Sequence, residues 1–247
     1  MFCSLRYRSG SDSVKESHHN INNNNNNEKK NPLKPFERMH SQRQRLILII
    51  LVSLLLSFFS ASESAFFAFS ATYFQYIPLE LSASRAAELV SLMALTFTLS
   101  RGMAVVIAIK TKPHNIIAIF LTILLISLII LFFASNSLPL LRFGILTMSF
   151  GFSPIYASIF SLMGRYVEFT SQIGTVLMLS ANSLNLILPY ILGKFIEENP
   201  NIFLLTLILN ITFSVFIFIS IIYFVYQFKQ NTYNQKNYEI TDHPNVL

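Results

Sequence analysis

An all-α membrane fold with six transmembrane helices is predicted from this chain's sequence by three observations. Hydrophobic residues make up 53% of the 247 residues and charged residues only 12%, against about 25% charged in an ordinary soluble domain. Mean hydropathy is +0.52. The apolar residues come in runs, several of them roughly 20 residues long, enough to cross a ~30 Å hydrocarbon core at about 1.5 Å per residue.

Residues 1–44 precede the first run. They are polar, irregular and include NINNNNNNEKKNP, a low-complexity asparagine tract that cannot bury a core. A disordered cytosolic tail or linker is expected here. The lone cysteine, Cys3, excludes an intrachain disulfide. The first apolar run starts near Leu46, too late and too long for a cleaved signal peptide.

The transmembrane domain is expected over 45–229, with spans at about 46–77, 86–109, 114–134, 138–163, 171–194 and 201–228. A cytosolic tail is expected over 230–247. Short connections (PLELSAS, KTKPHN, SNSLP, RYVEFTSQ, EENPN) make sequential spans antiparallel neighbours. Pro78, Pro113, Pro139 and Pro200 punctuate them, as expected where helices begin or end.

The net charge of +6 is distributed as membrane topology requires rather than as a nucleic-acid patch. With a cytosolic N-terminus, the inside holds the basic residues from Arg6 to Arg45, then Lys110, Lys112, Arg165, Lys229 and Lys236. The outside holds only Arg85, Arg142 and Lys194. Both termini are therefore expected in the cytosol of a multi-pass protein, with the plasma membrane as its expected residence. The sequon Asn210-Ile211-Thr212 falls within the last span and is expected to be unused.

Ionisable groups at membrane depth are costly, and each is a functional candidate. Glu63 in the first span and Arg101 in the second qualify. Arg101 lies nine residues before Lys110, roughly 13 Å from the cytosolic end of its helix. It suits a gate, or a helix-end anchor that snorkels. Glu63 suits solute or cation handling, or a protonated carboxyl bonded to a neighbouring helix. A depth difference of ~10 Å is expected between them, so no salt bridge is assigned.

Ser53, Ser57, Ser60 and Ser64 form a helical seam in the first span, with Gln75 further along. It suits close packing or a polar pathway. In the fourth span Gly151, Pro154, Ser158 and Ser161 share a face and Tyr156 adds a hydroxyl. Pro154 must free a backbone carbonyl that protein or water then satisfies. Asn182, Asn185 and Pro189 share a face of the fifth span. These amides suit solute hydroxyls or bonds across helices. The aromatics from Phe66 to Tyr76 are expected to face lipid or core.

No catalytic constellation appears, so an enzyme is not expected. His18, His19, His40, His114 and His243 lack metal-ligand spacing, and no glycine loop cradles phosphate. The repeated arginines of a voltage sensor are also missing.

Residues 46–228 resemble the C-terminal six-helix half of a major facilitator transporter, in the group that includes the sodium-dependent glucose transporter. The resemblance rests on four features in order. They are Glu63 in SESAFFAFSATY, Ser100-Arg101 before KTKPHN, GFSPIYAS with Pro154, and Pro189 with Gly193 in LPYILGKFIEENP. The glycine expected before Arg101 is a serine, and the glycine-rich stretch of the eleventh family helix reads SANSLN.

The resemblance implies half of a major facilitator fold and a sugar carrier working by alternating access, with Na+ as a candidate coupling ion. It implies that Arg101 gates the cytosolic side. Glu63, Tyr156, Asn182 and Asn185 would line the solute or ion pathway, and Gly151, Pro154, Pro189 and Gly193 would serve packing or hinge motion. Residues 1–44 would then end the central loop. The partners implied are the bilayer, a small solute, and a missing N-terminal half or second chain, with no nucleic acid. A fragment, a half-transporter that pairs, and a non-transporting structural or regulatory six-helix protein all remain open, as does a six-helix channel.

Overall fold

The computed structural model describes Met39 and residues 41–168 and 170–242, without the side chains of residues 109, 110 and 235–242. All belong to the unit Phe36–Leu247; the other unit, Met1–Pro35, lies outside the described residues. Cys3, the asparagine tract, His18, His19, His40 and His243 therefore lie outside them too.

Among the described residues eight α-helices follow in order: α1 (Gln42–Tyr76), α2 (Ala83–Lys110), α3 (Pro113–Phe133), α4 (Leu138–Phe152), α5 (Ile155–Gly164), α6 (Ser171–Ser183), α7 (Leu188–Phe195) and α8 (Asn201–Asp242). Short 3-10 turns occupy Ala134–Asn136 and Leu184–Leu186. The fold is all-α, with no strand among the described residues. Six helical segments are long and apolar enough to cross a membrane; α4 with α5 makes the fourth and α6 with α7 the fifth. The chain is an integral membrane protein on this ground.

Local chemistry sets the boundaries. Proline stands in the first turn of α3, α4 and α7, where its missing N–H has no helical partner to lose. α1 stops two residues before Pro78, whose ring disfavours helical backbone in the residue before it. Two boundaries differ from expectation. α1 starts at Gln42, before the apolar run, because the preceding polar residues are good helix formers. α8 runs on to Asp242 through the segment read as a tail, since no glycine or proline interrupts residues 229–242.

α1 is the centre of the bundle, packing on α8, α6 and α2, while α3 packs on α4, α5 and α8. Aromatic contacts hold this frame. Tyr73 of α1 stacks on Phe203 of α8 with ring centres 4.7 Å apart. Phe152 of α4 lies 5.6 Å from Phe59 and 5.5 Å from Phe66. Gly151 lets α4 approach α3: a Cβ there would stand 2.8 Å from Leu124 Cδ2.

The antiparallel order is visible at one end. Met39 N–H donates to the Tyr166 carbonyl at 3.1 Å, joining the start of α1 to the end of α5. His114 lies within electrostatic reach of Lys112, Arg165 and Lys229 at that same end.

Candidate functional site

Phe67 of α1 and Phe97 of α2 meet edge to face with ring centres 5.0 Å apart. Glu63 precedes Phe67 by one helical turn, and Arg101 follows Phe97 by one turn. Because α1 and α2 run antiparallel, both steps lead toward the same end of the bundle. Glu63 and Arg101 therefore share a depth instead of being offset by ~10 Å, and they interact electrostatically. Counting Arg101 from Lys110 could not show this, because the relative depth depends on which residues of α1 and α2 meet. The Arg101 guanidinium carbon sits 4.6 Å from the centre of the Phe97 ring, a cation–π contact. Glu63 is half-buried and Arg101 exposed.

Tyr156, in the first turn of α5, also feels the charge of Glu63. Its hydroxyl donates to Met178 Sδ of α6 at 3.7 Å. Tyr156 forms the ridge between two concavities. One, of about 530 Å³, lies between α2, the start of α3, and α5, with Arg101 and Ser153 in its wall. The other, an open groove of about 710 Å³ between α5 and α6, holds Met178 and Asn182.

Pro154 separates α4 from α5. Its ring nitrogen cannot donate to the carbonyl four residues back, which belongs to Phe150. Ser100 of α2 fills that gap: its Oγ donates to the Phe150 carbonyl oxygen at 2.8 Å. Ser100 is completely buried there. The serine standing where the resemblance expects glycine is thus the donor that the proline requires. The sequence announced the orphaned carbonyl, but nothing in local spacing pointed to a donor 50 residues away.

The fifth span is also broken. α6 ends at Ser183, a 3-10 turn follows, and Pro189 starts α7. Both asparagines sit at the break. Asn182 Nδ2 donates to the Met178 carbonyl at 2.9 Å. Asn185 Nδ2 lies 3.3 Å from Ser60 Oγ and 3.5 Å from Asn182 Oδ1. The Ser57 and Ser183 hydroxyls are 2.9 Å apart. Two members of the serine seam thus join α1 to the break, while Ser64 is exposed. Among the described residues Asn185 Oδ1 is buried without a hydrogen-bond partner.

Gly193 is open: a Cβ there meets nothing within 4 Å. Among the described residues no three His, Cys, Asp or Glu side chains converge on a metal position. A hard monovalent cation at this site would draw on the Glu63 carboxylate together with hydroxyl and carbonyl oxygens. Comparisons of the chain with protein-family models, curated proteins and solved structures found no match.

Proposed function

We propose that this chain is a membrane solute carrier: one six-helix half of a sugar-type facilitator that works by alternating access. The observation that carries this reading is the convergence of Glu63, Arg101 and Tyr156 beside two interrupted spans. Interrupted helices with an ionisable group between them are the usual construction of a transporter binding site, because irregular backbone in a bilayer needs a protein-lined or wet environment. In this reading Glu63 couples a cation, Na+ being the candidate, and Arg101 gates. Asn182, Asn185 and Tyr156 contact solute hydroxyls, and the breaks at Pro154 and Pro189 serve as hinges.

The test is uptake of radiolabelled glucose into vesicles holding the full chain, with and without an inward Na+ gradient. Saturable uptake that a Na+ gradient accelerates, and that Glu63→Gln reduces at least about tenfold, is the expected outcome. Ordinary gradient-driven uptake by Glu63→Gln would remove the coupling role. Vesicles that take up nothing would favour the structural or regulatory reading.

A further inference from the structure

The 530 Å³ cavity between α2, α3 and α5 runs from Arg101 and Tyr156 to Thr111 and Arg165, two residues that the proposed solute pathway does not use. Its wall carries an arginine at each of two levels, and the wall between them is alanine-rich but includes Ser158 and Ser161. At one level stand Arg101 and Ser153; Ser153 is only 5% exposed, and its Oγ is buried without a hydrogen-bond partner among the described residues. At the other level stand Thr111 and Arg165, the residue that caps α5. Pro154 and the ten residues of α5 separate Ser153 from Arg165, about 18 Å along the axis. Alanines, Ala104 and Ala108 among them, line the wall between.

No carboxylate lines the cavity among the described residues, whereas Arg165 shares its end of the bundle with Lys112. The cavity therefore offers positive charge and no carboxylate among the described residues. It also borders the open face of α2, where Val105 is 65% exposed. A ligand that fits needs an anionic group at the Arg165 end, an oxygen acceptor deeper in, and an apolar stem. Arginine is the side chain best suited to a phosphate.

We propose that this cavity binds an anionic phospholipid from the surrounding bilayer. The phosphate sits at Arg165, the ester carbonyls point toward Arg101, and an acyl chain lies along the alanine-rich wall. Basic pockets between transmembrane helices bind lipid headgroups by this chemistry. The site shares Arg101 and Tyr156 with the proposed solute pathway, but lipid binding at Arg165 does not require that the chain carry a solute.

Native mass spectrometry of the full chain, released from mixed phosphatidylglycerol and phosphatidylcholine, tests it. The expected result is a phosphatidylglycerol adduct preferred about tenfold, the scale of one charge-assisted hydrogen bond. Arg165→Gln removes that preference. Arg101→Gln, at an exposed position and so expected to fold, weakens it a few-fold. Arg142→Gln, which changes an arginine outside the cavity, leaves it intact. Equal adducts of both lipids would overturn the proposal. So would an equal loss in Arg142→Gln, which would mean general surface charge. Displacement of the lipid by millimolar inorganic phosphate would also overturn it, because the ligand would then be a free anion.

Discussion

α2 and the α4–α5 pair lie side by side, yet the most apolar stretch of α2 is 11% buried and that of α4–α5 is 61% buried. Greasiness does not explain the difference, because α4–α5 is no more apolar than α2. Small residues do. Gly144 and Gly151 of α4 meet the side chains of Leu131 and Leu124, and Ser149, Ser153 and Ser158 are buried along the same span. Gly102 of α2 faces open space. In a bilayer, lipid is as apolar as leucine, so helices are drawn inside by close fit and interhelical bonds rather than by hydrophobicity. α2 keeps one such tie, the Ser100 hydroxyl on α4.

Three experiments sharpen or break this contrast. Phe152→Ala removes a fully buried ring that touches both Phe59 and Phe66. It should cost about 3 kcal/mol, at the lower end for a buried aromatic because lipid replaces water in the reference state. Denaturant titration in mixed micelles, followed by helical circular dichroism, reads this. A cost under ~1 kcal/mol would mean that α4 is not part of the frame.

Ser100→Ala comes next. It leaves the Phe150 carbonyl buried and unbonded, at about 1 kcal/mol. Adding Pro154→Ala returns an N–H to the helix and should recover most of that loss. A double-mutant cycle with no coupling between the two positions would sever serine from proline. The smallest effect belongs to Leu99→Ala on α2, a side chain 62% exposed. It should change stability by less than ~0.5 kcal/mol. A larger loss would reveal a partner surface on that face, measurable as a shift in oligomer size.

Much of the fold was legible because each span is bounded by signals that act locally. Pro113, Pro139 and Pro189 begin helices as their geometry demands. The site was legible only in part. Glu63, Arg101, Tyr156, Asn182 and Asn185 stood out because polar groups are rare in apolar runs, and the structure brings the first three within electrostatic reach. Their relative depth was not readable, since it depends on which residues of α1 and α2 meet, and the Phe67–Phe97 contact decides that. The role of Ser100 as a donor, and the burial of Ser153, were not readable for a related reason. A buried serine is common in membrane helices, and only tertiary contact tells a donor in use from one that waits.

The shared depth of Glu63 and Arg101 has an electrical consequence. Moving one elementary charge through a membrane potential of 100 mV costs about 2.3 kcal/mol. When both side chains are ionised, a rocking motion of α1 with α2 carries equal and opposite charges through the same fraction of the field. Their contributions cancel, and the voltage does no net work on the pair. Neutralising Glu63, by a proton or a bound cation, leaves Arg101 uncompensated, and the same motion then moves one positive charge. In the proposed carrier, the occupancy of a single carboxylate would thus decide whether this part of the protein responds to voltage.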